Sequence, residues 1–342
     1  TIGTLANVVG GGTPSTRIPE YWAGDIPWFT PAEIPETGAG VVTRSKRSIT
    51  REGLAKSAAK LLPAGTVLVT SRASIGNCAI AGVPVTTNQG FASLIPKDFR
   101  STRYLYYWVQ QNRGKLLSRA AGSTFLEISA PKVREIELLA PSAGEQERIG
   151  VALSDADDLI ATLERLIAKK QAIKQGMMQQ LLTGRTRLPG FAGEWTDIRL
   201  GDHVSYVKTV ALSRAQLDTK STLRYLHYGD IHTRSSVLLD AVSEEMPRAE
   251  TRLAARAGLL QRGDLVFADA SEDPAGVGKS VEIVDTPDTG VVPGLHTIAA
   301  RFDKSVLADG FKAYLQFVPS FRDQLLRLAA GTKVLATTRS YI

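Results

Sequence analysis

The sequence contains little cysteine and no long apolar run, and each shortage excludes a class of protein. A single cysteine, Cys78, cannot form an internal disulfide and fits a reducing compartment, so we expect a cytoplasmic location. No apolar run reaches about 18 residues. Residues 1–5 lack the basic and apolar pattern of a signal peptide. We therefore expect neither a membrane partner nor secretion.

Metal-binding and catalytic patterns are also missing. The histidines are scattered without metal-ligand spacing, which predicts no metal site. They are His203, His227, His232 and His296. No Asn-Pro-Pro-aromatic tetrapeptide indicates a methyltransferase, and no Asp…(Glu/Asp)-x-Lys cluster indicates a nuclease. No spacing joins serine, histidine and aspartate into a triad. We predict a chain with no catalytic residue and no cofactor.

Two glycine-rich segments are similar to phosphate-binding loops without meeting their requirements. Residues 273–280 end in Gly-Lys-Ser, but they begin with Asp273, whose carboxylate repels phosphate. Residues 280–284 then alternate like a strand, where such a loop needs a helix. Residues 10–15 also precede no obvious helix, whereas a dinucleotide site requires one. A β-turn is the favoured interpretation of residues 273–280, and a nucleotide-dependent enzyme using residues 276–280 is the alternative.

Positive charge is what the sequence has in excess. Lysine and arginine number 41 against 34 acidic residues, which gives a net charge of +7 and an isoelectric point near 9.4. This excess favours a polyanionic partner, because neutralising phosphates releases condensed counterions. The hydrophobic content of 43% is that of an ordinary globular protein, and a length of 342 residues suits two domains.

Three pairs of segments recur in the same order at an offset near 200 residues. They are residues 26–34 with 223–231, residues 61–69 with 259–267, and residues 116–123 with 325–332. The middle pair predicts a glycine turn that leads into a buried strand. The last pair predicts the final turns of a helix closed by glycine. Ordered matches of this kind predict two copies of one α/β domain.

A different pattern separates the two copies. From Glu145 to about Leu182 there is no proline, and apolar residues recur in alternating steps of four and three. This helix-pairing seam consists of Ile149, Leu153, Ala156, Ile160, Leu163 and Ile167. Thr183 and Gly184 supply a stop signal. We predict a long helix that pairs with another helix, because so long an apolar stripe does not stay exposed. A core helix of one domain is the alternative.

Further segments form a recognisable order along the chain. They are Gly-Gly-Thr-Pro-Ser at residues 11–15, Glu-Tyr-Trp-Ala-Gly-Asp-Ile-Pro-Trp-Phe-Thr-Pro at 20–31, Val-Thr-Ser-Arg-Ala-Ser-Ile-Gly at 69–76, Thr-Asn-Gln-Gly-Phe at 87–91, the helical region at 141–184, and Phe-Ala-Gly-Glu-Trp at 191–195 with Leu-Gly-Asp at 200–202. In this order they resemble the specificity subunits of type I restriction-modification systems. The resemblance covers nearly the whole chain.

The resemblance implies an α/β fold class, with two similar α/β target-recognition domains joined by a long coiled-coil-forming helix. It assigns residues 1–142 to the first recognition domain, residues 143–188 to a central conserved helix that acts as spacer and docks partners, and residues 189–342 to the second domain. Each domain would read one half of a bipartite double-stranded DNA target. Separate modification subunits would methylate adenine with S-adenosylmethionine, and a separate restriction subunit would act as an ATP-driven motor and cleave.

The family continues into a second conserved helix that pairs with the first, whereas this sequence ends at Ile342. We therefore expect either that the sequence is a fragment or that the natural chain is short and pairs with a helix of another molecule. In both cases the seam lacks its partner within these residues, so we expect self-association.

Exposed polar residues of both domains are the candidate DNA contacts, because arginine suits guanine while asparagine and glutamine suit adenine. In the first domain they are Thr13, Ser15, Arg17, Arg44, Lys46, Arg47, Arg72, Asn88 and Gln89. In the second domain they are Lys208, Arg214, Lys220, Arg224, His232 and Arg234. Residues 87–90 also fit a structural turn, and a solvated surface charge is the alternative for every candidate. The alternative function is a coiled-coil scaffold with two protein-binding domains.

Overall fold

The computed structural model describes residues 1–38, 40–122, 126–329 and 335–342, and it leaves out the side chain of Ala275. Ser123 and residues 330–332, which belong to the third predicted repeat pair, lie outside the described residues. The chain divides into two compact units, Thr1–Ile167 and Ala168–Ile342. Each unit is an α/β domain together with part of a long helix, residues 143–167 in the first unit and 168–181 in the second.

The first domain contains two sheets. Its strands are β1 (Ala6–Gly10), β2 (Trp22–Phe29), β3 (Val41–Val42), β4 (Arg47–Ile49), β5 (Val67–Val69), β6 (Cys78–Ala81), β7 (Thr86–Thr87) and β8 (Ala92–Pro96). Its helices are α1 (Ile2–Leu5), α2 (Arg51–Ala55), α3 (Thr102–Gln111), α4 (Arg113–Leu117) and α5 (Ala130–Arg134), and the long helix is α6 (Ala143–Leu181). The sheet orders are β1-β8-β5-β6-β3 and β4-β2-β7.

The first core is built around β5, whose three residues are completely buried. Alternate side chains of a strand point to opposite faces. Val67 and Val69 therefore pack with Leu105 of α3 on one face, while Leu68 packs with Phe29 on the other. All three residues of β5 are apolar because both faces of the sheet are covered at this strand.

The second domain repeats this arrangement. Its strands are β9 (Val204–Val207), β10 (Leu223–Leu226), β11 (Leu238–Asp240), β12 (Arg248–Ala249), β13 (Leu265–Ala268), β14 (Ala270–Ser271), β15 (Ser280–Asp285), β16 (Val291–Pro293), β17 (Thr297–Phe302) and β18 (Leu335–Ala336). Its helices are α7 (Tyr228–Thr233), α8 (Thr251–Ala254) and α9 (Pro319–Leu328). The sheet orders are β11-β15-β13-β17-β9, β12-β10-β16 and β14-β18.

The predicted internal repeat is confirmed strand by strand. Reading one sheet in reverse, β9-β17-β13-β15-β11 matches β1-β8-β5-β6-β3. The β3–β6 and β11–β15 pairs are both parallel, and so are β2–β7 and β10–β16. The predicted glycine turns before β5 and β13 are present, with Gly65 at φ +84° and Gly263 at φ +89°. Glycine suits this left-handed backbone because it has no Cβ.

One part of the repeat prediction is wrong. Gly122 does not close a helix, because α4 ends at Leu117 and is capped by Ser118. The amides of Arg119 and Ala120 donate to Leu116 and Leu117, so a tight turn completes the helix before Gly122 is reached. Gly331, the second predicted closing glycine, lies outside the described residues.

Helix α6 spans 39 residues, close to the predicted range. At about 1.5 Å per residue it is roughly 58 Å long. The Oγ of Ser142 lies 3.4 Å from the amide nitrogen of Glu145 at its start. Gly184 follows its end at φ +69°, as the stop signal predicted. Within the described residues, no helix is long and apolar enough to cross a membrane.

The first half of α6 is anchored to the first domain. The Tyr107 hydroxyl donates to Asp157 Oδ2 at 2.7 Å. Burial, followed by this carboxylate, raises the pKa of Tyr107, so the phenol keeps its proton. Gly150 lies so close to α3 that an added Cβ would approach the Cβ of Arg103 at 2.6 Å. These contacts fix the helix against one face of the domain.

The predicted seam lies largely in solvent within the described structure. Ile149 is half-buried, whereas the next seam positions are exposed. The exposed seam residues are Leu153, Ala156, Ile160, Leu163 and Ile167. Their apolar side chains are available to a second helix, and the pairing itself stays a prediction.

Candidate nucleic-acid interface

The loop after β1 and the turn after β7 meet at one edge of the first domain. The Gly12 amide donates to Thr87 O at 2.9 Å, and Trp28 Nε1 donates to Gly12 O at 2.9 Å. A Cβ on Gly11 would overlap the main-chain oxygens of Thr87 and Asn88. The glycines therefore permit close main-chain packing. We call residues 11–17, 44–47, 71–72 and 87–90 the first loop edge.

Two of the predicted polar residues contact each other on the first loop edge. Thr13 Oγ1 donates to Gln89 Oε1 at 2.7 Å, and both residues are exposed. Asn88 has a structural role instead, because its Oδ1 accepts the Gly90 amide at 2.9 Å. The turn interpretation of residues 87–90 therefore accounts for Asn88 and leaves Gln89 facing solvent.

Arg47 is held by tryptophan rings. Its guanidinium carbon lies 3.5 Å from the centre of a Trp22 ring, and Trp22 meets Trp28 edge to face at 5.0 Å. Trp22 Nε1 also donates to Ser15 O at 3.1 Å, so Ser15 and Arg47 belong to one assembly. Stacking on an aromatic face orients a guanidinium and leaves its donors accessible at the ring edge.

The other candidates of the first domain are arranged around this assembly. Arg17, Arg44 and Lys46 are exposed, and the Lys46 amide donates to Glu33 Oε1 at 2.7 Å. Arg72 pairs with Glu127 at 2.9 Å, with both side chains more than 40% exposed. Such an exposed pair contributes about 1 kcal/mol or less, so another anion can compete for Arg72.

The second domain builds its edge with the same main-chain bonds. The Val210 amide donates to Pro293 O at 3.1 Å, as Gly12 does to Thr87. The Tyr225 hydroxyl donates to Val210 O at 2.9 Å, as Trp28 does to Gly12. We call residues 208–214, 269–271 and 293–296 the second loop edge.

Several predicted residues of the second domain are engaged within the fold. Arg224 donates to the carbonyls of Val242 and Glu244, and Arg234 pairs with Glu244 while only 16% exposed. These two arginines tie the segment around β11 to its neighbours. Arg214 pairs with Asp230 at 2.7 Å but is 53% exposed, and Lys208 and Lys220 are exposed.

Three of the four histidines surround Tyr228: His227 and His232 are near it in sequence, whereas His296 is distant. The Tyr228 ring centre lies 4.5 Å from that of His227, 6.0 Å from that of His232 and 5.4 Å from that of His296. His296 Nδ1 lies 3.1 Å from Asp269 Oδ1. We call these five residues the histidine cluster. His232 Nε2 also contacts Ala270 O at 2.9 Å.

Ionisation within the cluster is governed by burial. Burial, followed by the charge of Arg214, lowers the pKa of His227. The neutral ring accepts the Gly229 amide at Nδ1, at 3.1 Å. Burial raises the pKa of Asp269, opposed by His296. Among the described residues, no group of three or more His, Cys, Asp or Glu side chains could hold a metal ion.

The segment similar to a phosphate-binding loop is a turn, as the sequence predicted. Pro274–Gly276 forms a short 3₁₀ turn and β15 follows at Ser280, where a phosphate loop requires a helix. Lys279 Nζ donates to His232 O at 2.6 Å and to Arg234 O at 3.1 Å. Its ammonium therefore ties the turn to the end of α7.

Cys78 offers no nucleophile. It is completely buried, and burial raises the pKa of its thiol to about 12. A thiol with that pKa carries almost no thiolate at neutral pH.

Sequence reasoning did not select several side chains that lie in the two loop edges or contact them. They are Trp22, Trp28, Glu127, Tyr228, Asp269 and His296. The tryptophans lie within the second motif that carries the family resemblance, which was the available signal. No local pattern joins Tyr228 to Asp269 or His296, because strand pairing brings them together.

Comparison with known proteins agrees with this architecture. Residues 1–175 match the type I restriction modification DNA specificity domain family. A crystal structure of the S subunit of a type I restriction-modification system from M. genitalium superposes with a TM-score of 0.54, covering 100% of this chain and 84% of that one. Its 14% sequence identity makes this a likeness of fold.

Relatives of known sequence point the same way. The specificity subunit of the type I restriction enzyme MjaIX of Methanocaldococcus jannaschii is 44% identical over 158 residues, which cover 46% of this chain and 37% of that protein. A specificity subunit of an Escherichia coli type I restriction enzyme is 31% identical over 183 residues, covering 51% and 44%. The chain thus spans less than half the length of these two relatives. It belongs to the type I restriction-modification DNA specificity family.

Proposed function

We propose that the chain is a non-catalytic DNA-recognition subunit whose two domains each bind one half of a bipartite double-stranded DNA target. The observation that carries the proposal is the pair of loop edges, which have the same main-chain bonds and different polar side chains. A target with two different half-sites requires two recognition domains that share a scaffold and differ in their contact side chains. The net charge of +7 supports a polyanionic partner.

We further propose the division of labour along the chain. Residues 1–142 and 189–342 form the recognition domains, and residues 143–188 form the helical spacer that docks partners. Modification subunits methylate adenine, and a restriction subunit acts as motor and nuclease. The named roles of the relatives as specificity subunits of restriction enzymes support these partners. The exposed seam supports self-association or pairing with a further helix.

The test is methylome sequencing of a host that expresses the modification subunit with and without this chain. We expect methylated adenines in a split motif only when the chain is present. Methylation that lacks a split motif, or that appears without the chain, would contradict the proposal. Nearly all contacts to phosphate are electrostatic, so duplex binding by the complex should weaken steeply with added salt.

The spacer predicts how the motif responds to length. Removing one turn of α6 shortens the helix by about 5.4 Å, which corresponds to one or two base pairs at about 3.4 Å each. Methylome sequencing of this deletion should show the same two half-sites with a smaller gap. An unchanged gap would count against the helix as spacer.

Two alternative functions have separate tests. A coiled-coil scaffold would pair through the helix but would not bind DNA, so this alternative predicts no salt-sensitive duplex binding. A nucleotide-dependent enzyme predicts that the isolated chain binds ATP and that Lys279→Ala abolishes this binding. Lys279 donates to two main-chain carbonyls, which counts against a role in binding ATP or phosphate.

A further inference from the structure

The two loop edges carry different side chains on the same main-chain bonds. The Ser71 amide donates to Gly90 O at 2.7 Å in the first domain, and the Asp269 amide donates to His296 O at 3.1 Å in the second. Ile128 and Thr337 then donate to the carbonyls of Ser71 and Asp269, respectively. The scaffold therefore forms with serine and glycine in one domain and with aspartate and histidine in the other. The fold alone does not require this acid and this histidine.

His296 occupies a sparsely populated backbone conformation. Its backbone has φ +53°, a left-handed value that is uncommon for residues other than glycine. Its side chain is nevertheless 51% exposed and faces Asp269, which is 28% exposed. An outlying backbone that presents a polar side chain to solvent is a pattern of functional sites. The Tyr228 ring packs against the imidazole nearly at a right angle, with the ring centres 5.4 Å apart.

The negative charge of Asp269 favours a contact with the edge of a base over a contact with a DNA phosphate. A carboxylate repels phosphate, so Asp269 is unsuited to a backbone contact. In the major groove a carboxylate accepts the amino group of cytosine, and guanine presents two acceptors on the same base pair. An imidazole N–H can donate to those acceptors. Because Nδ1 of His296 donates to the Asp269 carboxylate, Nε2 is the nitrogen left for this contact, and it donates when the ring is the doubly protonated imidazolium.

We propose that Asp269 and His296 are specificity-determining residues of the second domain and together read one C·G base pair, with Tyr228 holding the imidazole. Asp269 accepts from the cytosine amino group and His296 donates to guanine. The exposed Thr13–Gln89 pair occupies the corresponding edge of the first domain. This inference rests on the proposed DNA-recognition function.

The test compares methylomes in a host that expresses the full chain with its modification subunit. The variants are His296→Asn, which tolerates the left-handed backbone, and Asp269→Asn, which keeps the shape and removes the charge. The matched control is His203→Asn, at the histidine outside the cluster. Each purified complex is also checked for an unaltered thermal unfolding transition.

The expected result is a loss of discrimination at one C·G pair in one half-site. The preference there should fall about 10-fold or more, the usual scale for one specifically read base pair. The other half-site and the His203→Asn motif should be unchanged. A split wild-type motif that stays unchanged in both cluster variants would overturn the inference and leave the proposed function intact. An equal loss in both half-sites with a lowered transition would also overturn it, because it indicates a structural role.

A wild-type chain that directs no split motif would reject the proposed function, and this inference with it. The variant Gln89→Ala, in the first domain, tests whether the two domains contact different half-sites. It should alter the half-site that the cluster variants leave unchanged. If Gln89→Ala and His296→Asn alter the same half-site, the assignment of the cluster to a separate reader is overturned.

Discussion

The two domains differ most where their scaffolds agree most. Strand order, the parallel and antiparallel pairings and the hydrogen bonds at the loop edges are the same in both. The first domain fills its edge with glycines, a Thr13–Gln89 pair and an arginine stacked on tryptophan. The second fills it with Tyr225 and the histidine cluster. Main-chain bonds therefore define the edge, and side chains are free to define what the edge contacts.

The largest difference between the two domains should be in the stability lost by substitution in the loop after the first strand, at Gly11. Gly11→Val places a side chain against the main-chain oxygens of Thr87 and Asn88, so we expect the first domain to lose about 3 kcal/mol or more. The corresponding position before Val210 is Thr209, which already carries a side chain. Thr209→Ala should cost about 1 kcal/mol or less. Chemical unfolding of the two variants measures the contrast, and equal losses would break the comparison.

The next difference concerns the side chain that holds the loop after the first strand. In the second domain the Tyr225 hydroxyl accepts the amides of Leu212 and Leu295 at 2.9 and 2.7 Å and donates to Val210 O. Tyr225→Phe leaves buried amides unpaired, so we expect a loss of about 2 to 3 kcal/mol.

Trp28 makes one such bond, to Gly12 O. Trp28→His keeps a ring donor and serves as the milder counterpart in the first domain. It loses apolar volume, and we expect a loss of about 1 to 2 kcal/mol. Denaturant unfolding should rank Tyr225→Phe above it. The reverse order would show that ring volume, and not hydrogen bonding, dominates at this position.

The smallest expected difference is in pH response. His227 has a lowered pKa and accepts a hydrogen bond at Nδ1, so the folded second domain binds fewer protons than the unfolded chain. Its stability should fall as pH drops below the ordinary histidine pKa of about 6.5. The first domain contains no histidine. Thermal unfolding at pH 7 and pH 5.5 should show a larger decrease for the second domain, reduced in His227→Asn.

The sequence predicted the features that depend on local or repeated signals. The bounds of α6 followed from the absence of proline and from the stop at Thr183 and Gly184. The repeat followed from segments such as residues 61–69, because a buried strand after a glycine turn leaves a clear pattern. These features need no knowledge of distant contacts.

The sequence did not predict features that depend on pairing between distant strands. Arg224 and Arg234 look like surface charges in sequence, yet they bind carbonyl and carboxylate oxygens of the segment around β11. The histidine cluster forms because the C-terminal ends of β10 and β13 lie near the start of β17. No spacing between His227 and His296 encodes that meeting.

The unbroken backbone of α6 constrains how this protein can evolve. Each inserted residue advances the chain by about 1.5 Å and also rotates everything after it by about 100°. Under the proposed function, one added residue would rotate the second domain away from its DNA groove while moving it by only about 1.5 Å. Seven residues advance it by about 10.5 Å with a rotation near 20° from the original phase. New spacings should arise in jumps of whole turns, and gradual lengthening should be inaccessible.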